Sequence, residues 1–167
     1  MRKIILITLV IAAVAACKNE VHYTKNSLEI ETFKQVVKDY EVGNWESYAT
    51  HYAYTVKIAY NTTEKKALTL AQSIALHKEE TTILSSYNYV PEESEYEMVV
   101  TDKGETWVNF WGLWQGRLKA NNQLYEIPVH LTAQFIDGKI VKEFGYWDNS
   151  PIILALQQIT SETIMEE

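Results

Sequence analysis

The second half of the chain consists of four runs of alternating apolar and polar residues separated by short turns. Asp102-Lys103-Gly104, Asn121-Asn122 and Asp137-Gly138 supply the turns, and an Asp-Gly pair is the strongest short-range signal for a tight hairpin. Because turns this short join neighbouring strands directly, the strands must pair antiparallel. The pattern predicts a meander with strands at Tyr96 to Thr101, Thr106 to Leu118, Leu124 to Ile136 and Lys139 to Trp147.

The first half of the chain has mainly helical periodicity. Apolar residues three and four positions apart form a single stripe at Ile30, Phe33, Val37 and Tyr40. The other predicted helices rest on the same periodicity and on start signals: Asn44 can cap a short helix, and Ser150-Pro151 can begin the last one. We predict helices over 26–40, 64–84 and 152–159, a short helix after Asn44, and a strand over 54–60.

Helices followed by a meander indicate an α+β fold with helices on one face of an antiparallel sheet. Gly112, Gly116 and Gly145 lie inside the predicted long strands, where glycines mark bends and bulges. A bent sheet with helices on its inner side forms a cone with an open end. The sequence therefore predicts a curved antiparallel sheet wrapped around helices.

The first segment has the pattern of a targeting signal. Met1-Arg2-Lys3 is basic, and Ile4 to Ala16 is apolar apart from Thr8, which predicts a signal peptide over 1–16. Val14-Ala15-Ala16-Cys17 resembles the lipobox of bacterial lipoproteins, which implies cleavage before Cys17 and a lipid on its thiol. The alternative is a free thiol after an ordinary cleavage site. We expect a lipidated N-terminus and tether over 17–27, a folded domain over 28–160 and a C-terminal tail over 161–167, held in the bacterial cell envelope by the membrane anchor.

Charge and motif content exclude several classes of function. The net charge of −7 argues against a nucleic-acid partner, which requires a basic face. One cysteine allows neither an intrachain disulfide nor a cysteine zinc cluster. The sequence has no nucleophile elbow, P-loop, dinucleotide fingerprint or H-E-x-x-H motif, and its histidines lack metal-ligand spacing. We expect no cofactor and no metal.

The order of elements resembles that of a known family. The specific stretches are Trp111-Gly112, Ile127-Pro128-Val129-His130, Asp137-Gly138-Lys139-Ile140-Val141 and Tyr146-Trp147-Asp148. Over about Leu28 to Ile159 the chain is similar to SnoaL-like domains of the nuclear transport factor 2-like superfamily. The resemblance implies a cone-shaped, cystatin-like α+β barrel with a deep pocket, and frequent dimers through the outer sheet face. It does not imply one function, because members include cyclases, isomerases, hydrolases, dehydratases and binding domains.

Aromatic and polar residues at strand and helix positions are the candidates for a ligand pocket. Trp107, Asn109 and Trp111 share one face of a predicted strand, and dense aromatic surface suits a flat hydrophobic ligand. His77 lies on an apolar helical stripe, and Tyr60 ends a predicted strand. We predict that these five residues line the pocket. The alternatives are core filling for the rings and a core-edge position for His77.

Asp148 is the candidate acid or base. The resemblance implies an acidic residue near the end of the last strand, at the pocket mouth. An aspartate packed against aromatic rings would be desolvated, which raises its pKa towards values useful for proton transfer. Tyr146 or Asn109 would then stabilise the developing oxyanion. The alternative is that Asp148 only helps to start the closing helix.

The alternation of apolar and polar residues in its strand predicts which face of the sheet His130 occupies. The apolar face of Leu124 to Ile136 must lie under the helices, so His130 is expected on the outer face; a bulge near Pro128 would reverse this.

The function expected first is binding of a small hydrophobic ligand by a lipid-anchored pocket domain. The alternatives are a proton-transfer enzyme of the isomerase, cyclase or dehydratase type, and a dimeric protein-interaction module. A homodimer is a further expectation.

Overall fold

The computed structural model of the protein describes residues 22–166. The predicted signal peptide, the predicted lipidation site at Cys17 and the start of the tether lie outside these residues. Two 3-10 turns occur, at Glu64–Lys66 and Pro91–Glu93. In chain order the elements are β1 (Tyr23–Thr24), α1 (Leu28–Val42), α2 (Trp45–Thr50), β2 (Tyr52–Tyr60), α3 (Leu70–Thr81), β3 (Leu84–Tyr89), β4 (Glu95–Val100), β5 (Thr106–Leu118), β6 (Leu124–Ile136), β7 (Lys139–Trp147) and α4 (Ser150–Glu166).

All seven strands of the described residues belong to one curved, unclosed sheet. The strand order is β1-β4-β5-β6-β7-β2, and β3 pairs with the second half of β5. The antiparallel meander β4-β5-β6-β7 and the α+β class are confirmed. One pair differs from the prediction: β2 runs parallel to β7, so the sheet is mixed. The alternation of β2 revealed a strand but carried no information about its direction.

The strand glycines make room for aromatic rings on the inner face of the sheet. A Cβ at Gly116 would lie 2.0 Å from the Trp114 ring, and one at Gly145 would lie 2.5 Å from the Trp147 ring. In each case the ring belongs to a residue two positions away on the same strand and therefore on the same face. The rings thus lie flat over backbone that has no side chain of its own.

The core has two parts under the helices. At one end, α1 presses Phe33 edge-on against Phe110 of β5, with ring centroids 6.4 Å apart. At the other end, Trp114 and Ile127 belong to a second buried cluster, against which Ile152 of α4 packs. The candidate ligand cavity lies between these parts.

Several boundaries differ from the prediction. The predicted helix over 64–84 begins only at Leu70, because Leu68 forms a bridge to Ile58 of β2, and its last predicted residue starts strand β3. Strand β3 was missed because Leu84-Ser85-Ser86 has little β-propensity. Asn44 caps α2 as predicted, with its Oδ1 accepting from Ser47 N at 3.3 Å.

The two ends of the domain are also more ordered than the sequence indicated. Tyr23–Thr24, within the predicted tether, pairs with β4, and α4 continues to Glu166. None of the helices within residues 22–166 has the length and apolar character needed to span a membrane.

Candidate ligand cavity

A cavity of about 250 Å³ lies between the helices and the inner face of β6 and β7. Aliphatic side chains from β6 and α4 form much of its wall, including Val129 and Ile152. Aromatic rings complete the wall, and the polar groups are few. The rings that line it are those of Tyr40, Tyr48, Tyr60, Tyr89, Trp114, Trp147 and His77.

Glu143 is the charged group deepest in this lining. Its side chain is only 2% exposed. Tyr52 Oη donates to Oε2 at 2.7 Å, and Tyr60 Oη donates to Oε1 at 2.9 Å. Burial raises the pKa of Glu143, while the hydrogen bonds from the two tyrosines and the nearby His77 oppose the rise. The site therefore contains a carboxyl group that takes up a proton more readily than an exposed glutamate.

A bulge in β7 turns Glu143 inwards. Ile140 pairs with Phe135 of β6, but Lys142 pairs with Gln134, so Val141 is one residue more than the partner strand provides. An extra residue shifts the alternation of everything that follows it. Ile140 and Glu143 consequently both lie on the inner face, although they are an odd number of residues apart.

His77 lies beside this carboxyl group on α3. Its Nε2 is 3.2 Å from Tyr60 Oη, and Ser73 Oγ is 3.3 Å from the same hydroxyl. Since Tyr60 has one proton and donates it to Glu143, the hydroxyl accepts from these two groups. A capping box of Thr69 and Gln72 begins the helix that positions both.

The tyrosine hydroxyls form a continuous chain with Glu143. The hydroxyls of Tyr48 and Tyr52 are 2.8 Å apart, and Tyr52 in turn reaches Glu143. Burial raises the pKa of Tyr48, Tyr52 and Tyr60, and the negative charge of Glu143 raises it further. These tyrosines therefore remain protonated donors at neutral pH. The chain can stabilise a carboxylate, or relay a proton to and from it.

The structure divides the predicted pocket residues between the two faces of the sheet. Tyr60 and His77 line the cavity. Trp107, Asn109 and Trp111 do not, and this part of the prediction is wrong. The inward residues of β5 are instead Val108, Phe110, Gly112, Trp114, Gly116 and Leu118. The pairing of β5 with β6 explains this. Trp111 pairs with His130, and residues paired across two strands lie on the same face of the sheet, which here is the outer face.

Asp148 and Tyr146 also lie outside the cavity. Asp148 is fully exposed, and its Oδ1 accepts from Ser150 N at 2.9 Å, so it caps the start of α4. That hydrogen bond lowers the pKa of Asp148, the opposite of what the proposed acid–base role requires. Tyr146 is 50% exposed on the outer face. The mechanism based on these two residues is therefore wrong.

His130 lies on the outer face, as the alternation of β6 predicts. Its ring stacks on Trp111 at 4.9 Å and on Tyr146 at 6.3 Å between ring centroids. The three rings form a row across β5, β6 and β7. We call these three residues the outer aromatic row.

Glu143, Tyr48 and Tyr52 are not among the site residues predicted from the sequence. A signal for Glu143 existed, because it is the one acidic residue of the strand from Lys139 to Trp147. The alternation that starts at Ile140 assigns it to the outer face, and only the bulge reverses this assignment. Tyr52 precedes the strand predicted over 54–60, so the alternation of that strand assigns it no face.

A second buried carboxylate, Asp39, makes its hydrogen bonds within the helical layer and does not line the cavity. Its Oδ2 is 3.0 Å from His51 Nε2, and Gln35 Nε2 donates to Oδ1 at 2.9 Å. Burial raises the pKa of Asp39, but hydrogen bonds from Ser47, Gln35 and His51 outweigh that effect and leave it below its usual value. Across residues 22–166, no three His, Cys, Asp or Glu residues are grouped so that they could hold a metal ion.

Comparison with solved structures identifies the fold. A protein assigned as a SnoaL-like polyketide cyclase from Jannaschia sp. CCS1 is 14% identical, with a TM-score of 0.61 over 77% of this chain and 91% of its own. A protein assigned as a polyketide cyclase from Xanthomonas campestris pv. campestris is 13% identical, with a TM-score of 0.60 over 78% of this chain and 98% of its own. AclR from Streptomyces galilaeus, assigned as a hydroxylase, is 9% identical, with a TM-score of 0.62 over 78% and 96%. The chain thus has the same fold as these SnoaL-like proteins.

Sequence comparison adds no closer relationship. No family model matches the chain. No curated protein matches it either.

Proposed function

We propose that the domain binds a small, largely apolar molecule in its inner cavity. The observation that carries this proposal is a cavity of about 250 Å³ whose apolar wall surrounds one buried carboxyl group. Such a combination, mostly apolar walls with a few directed polar groups, is typical of small-molecule sites. The cyclase assignments of proteins with the same fold support a small organic ligand.

Tryptophan fluorescence tests the proposal, because Trp114 and Trp147 line the cavity whereas Trp111 lies on the outer face. Aromatic ketones such as butyrophenone serve as probes and are titrated into the purified domain. We expect saturable quenching that persists in Trp111→Phe and is reduced in Trp114→Phe. Quenching that is absent, or that depends only on Trp111, would contradict binding in the cavity.

A second candidate function is proton transfer with Glu143 as the acid or base. It is supported by the burial that raises the pKa of Glu143 and by the tyrosine chain that can return a proton. Glu143 would remove a proton next to a carbonyl group of the ligand, and a tyrosine hydroxyl would stabilise the oxyanion. Exchange of α-hydrogens of bound ketones for deuterium measures this step. We expect exchange in the wild type and none in Glu143→Gln; equal exchange in both would contradict the role.

We also propose that Cys17 anchors the domain to a membrane. The proposal is supported by the lipobox-like residues before the only cysteine of the sequence. Mass spectrometry of the protein expressed in a bacterial host tests it. We expect an N-terminal Cys17 that carries acyl chains, and loss of the modification in Cys17→Ser. An unmodified mature chain in the soluble fraction would contradict it.

A homodimer through the outer sheet face is supported by the outer aromatic row. Trp111 is 42% exposed and Tyr146 50%, which is unusual for large rings in a continuous row. Light scattering during size-exclusion chromatography measures the mass. We expect a dimer that Trp111→Glu dissociates, whereas a monomeric wild type would contradict the proposal.

A further inference from the structure

The charged groups of the cavity lining are acidic. Glu143 lies within the wall, and Glu80 of α3 also lines the cavity, with a side chain 48% exposed. No lysine or arginine of the described residues lines the cavity. His77 is the lining's basic group; its Nε2 contacts the hydroxyl of Tyr60, and its Nδ1 lies 3.8 Å from Oε2 of Glu80 at the exposed side of the lining, so it makes no direct contact with the Glu143 carboxyl group.

We propose that the ligand is an organic cation, with an alkylated ammonium group beside Glu143 and an apolar remainder among the aromatic rings. This inference rests on the proposed function of the cavity and specifies the chemical class of its ligand. It differs from the neutral carbonyl compound that proton transfer by Glu143 would require.

The first argument is the unbalanced charge of Glu143. A buried carboxylate is costly unless an opposite charge and hydrogen bonds compensate for it. Tyr52 and Tyr60 supply one hydrogen bond to each oxygen, but a carboxylate accepts about four, and hydroxyls bring no positive charge. An ammonium group in the cavity would supply the missing charge.

The second argument is the aromatic wall. Rings bind cations through their negative faces within about 6 Å of the centroid, and the attraction strengthens where water is excluded. Quaternary ammonium groups are bound in this way by cages of several rings. Tyr40, Tyr48, Tyr60, Tyr89, Trp114 and Trp147 provide these rings, and Glu143 lies within the same lining.

The third argument is the charge at the entrance and over the whole chain. Glu80 lies in the lining with half of its side chain in water, so it can attract a cation before binding. The net charge of −7 acts in the same direction, because a negative surface raises the local concentration of cations. An anionic ligand would be repelled at each of these positions.

A matched pair of ligands separates charge from shape. Benzyltrimethylammonium is positive, and 2,2-dimethylpropylbenzene replaces its nitrogen by carbon and is neutral but otherwise almost the same shape. We expect the ammonium compound to bind the wild type at least about tenfold more tightly. In Glu143→Gln, which keeps the side-chain shape, we expect that preference to disappear while the neutral compound still binds.

The outcomes distinguish this inference from the proposed function. If the neutral compound binds as tightly as the ammonium compound, or more tightly, the cation inference is wrong and the apolar cavity remains functional. If neither compound nor the aromatic ketones bind, both proposals are wrong. The wild-type comparison does not depend on any variant, and in Glu80→Gln we expect a smaller weakening of ammonium binding than in Glu143→Gln.

Discussion

Tyr60 donates a 2.9 Å hydrogen bond to Glu143 across two neighbouring parallel strands. Tyr60 pairs with Gly145 in this register, two residues beyond Glu143, and Tyr52 pairs with Ile140 on the other side. The two tyrosines therefore approach the carboxyl group from opposite directions along β2. The parallel pairing of β2 with β7 is what builds the polar part of the cavity.

Loss of one donor to Glu143 should destabilise the domain. Tyr60→Phe removes a hydrogen bond to a buried acceptor, for which we expect a loss of about 1.5–3 kcal/mol in the free energy of unfolding. Urea denaturation at neutral pH measures it. Tyr54→Phe is the matched control, since Tyr54 lies on the same strand and is 100% exposed. Equal stability of the two variants would show that the hydrogen bond contributes nothing.

The raised pKa of Glu143 has a defined effect on pH dependence. The native state holds the proton more tightly than the unfolded state, so stability falls as pH rises from the usual glutamate pKa of 4.5 towards the native pKa. Glu143→Gln has no charge to bury and lacks this loss. We therefore expect the stability of the wild type to decrease relative to that of Glu143→Gln as pH rises. Denaturation curves at a series of pH values measure the difference, and a difference that is constant with pH would contradict the raised pKa.

Asp39 should show the opposite dependence. Its pKa is lowered in the native state, so its stabilisation is present above the usual value of 3.8 and is lost as pH falls through the native pKa. At neutral pH we expect Asp39→Asn to cost about 1.5–3 kcal/mol through the weakened bond to His51. The exposed Asp102→Asn is the control for the same measurement. A loss of stability in Asp39→Asn that increases as pH falls would contradict the lowered pKa of Asp39.

Gly116 should be required for the position of Trp114. A methyl group there would lie 2.0 Å from the indole ring, so Gly116→Ala must move the ring. We expect a loss of about 1–3 kcal/mol in stability from overpacking, together with weaker ligand binding. Gln115→Ala, at the neighbouring outward position, is the control. Unchanged Trp114 fluorescence and unchanged binding in Gly116→Ala would refute this role.

Local sequence signals predicted the meander because its turns and its alternation are both short-range properties. Asp137-Gly138 forms the turn between β6 and β7 where the hairpin signal indicates. His130 lies on the predicted face. The direction of β2 could not be obtained in this way. Its partner β7 is distant in the sequence, and alternation is the same in a parallel and an antiparallel strand.

The site depended on two features that the sequence does not display. The extra residue at Val141 turns Glu143 inwards, and a bulge has no reliable pattern in a single sequence. The resemblance implies an acidic residue near Asp148, but the side chain of Asp148 accepts from Ser150 N at the start of α4. The register of β5 against β6 would have excluded Trp111, since His130 was already expected on the outer face.

Filling the cavity tests most directly whether it is the binding site. Val129 lines the cavity on β6, and Thr132 lies on the outer face of the same strand, so Val129→Trp and Thr132→Trp add the same ring on opposite sides. Calorimetric titration with the aromatic ketones and with benzyltrimethylammonium measures binding to both variants. We expect Val129→Trp to abolish binding of every ligand that binds the wild type, and Thr132→Trp to leave it unchanged. Binding to Val129→Trp with wild-type affinity would contradict a ligand site in this cavity.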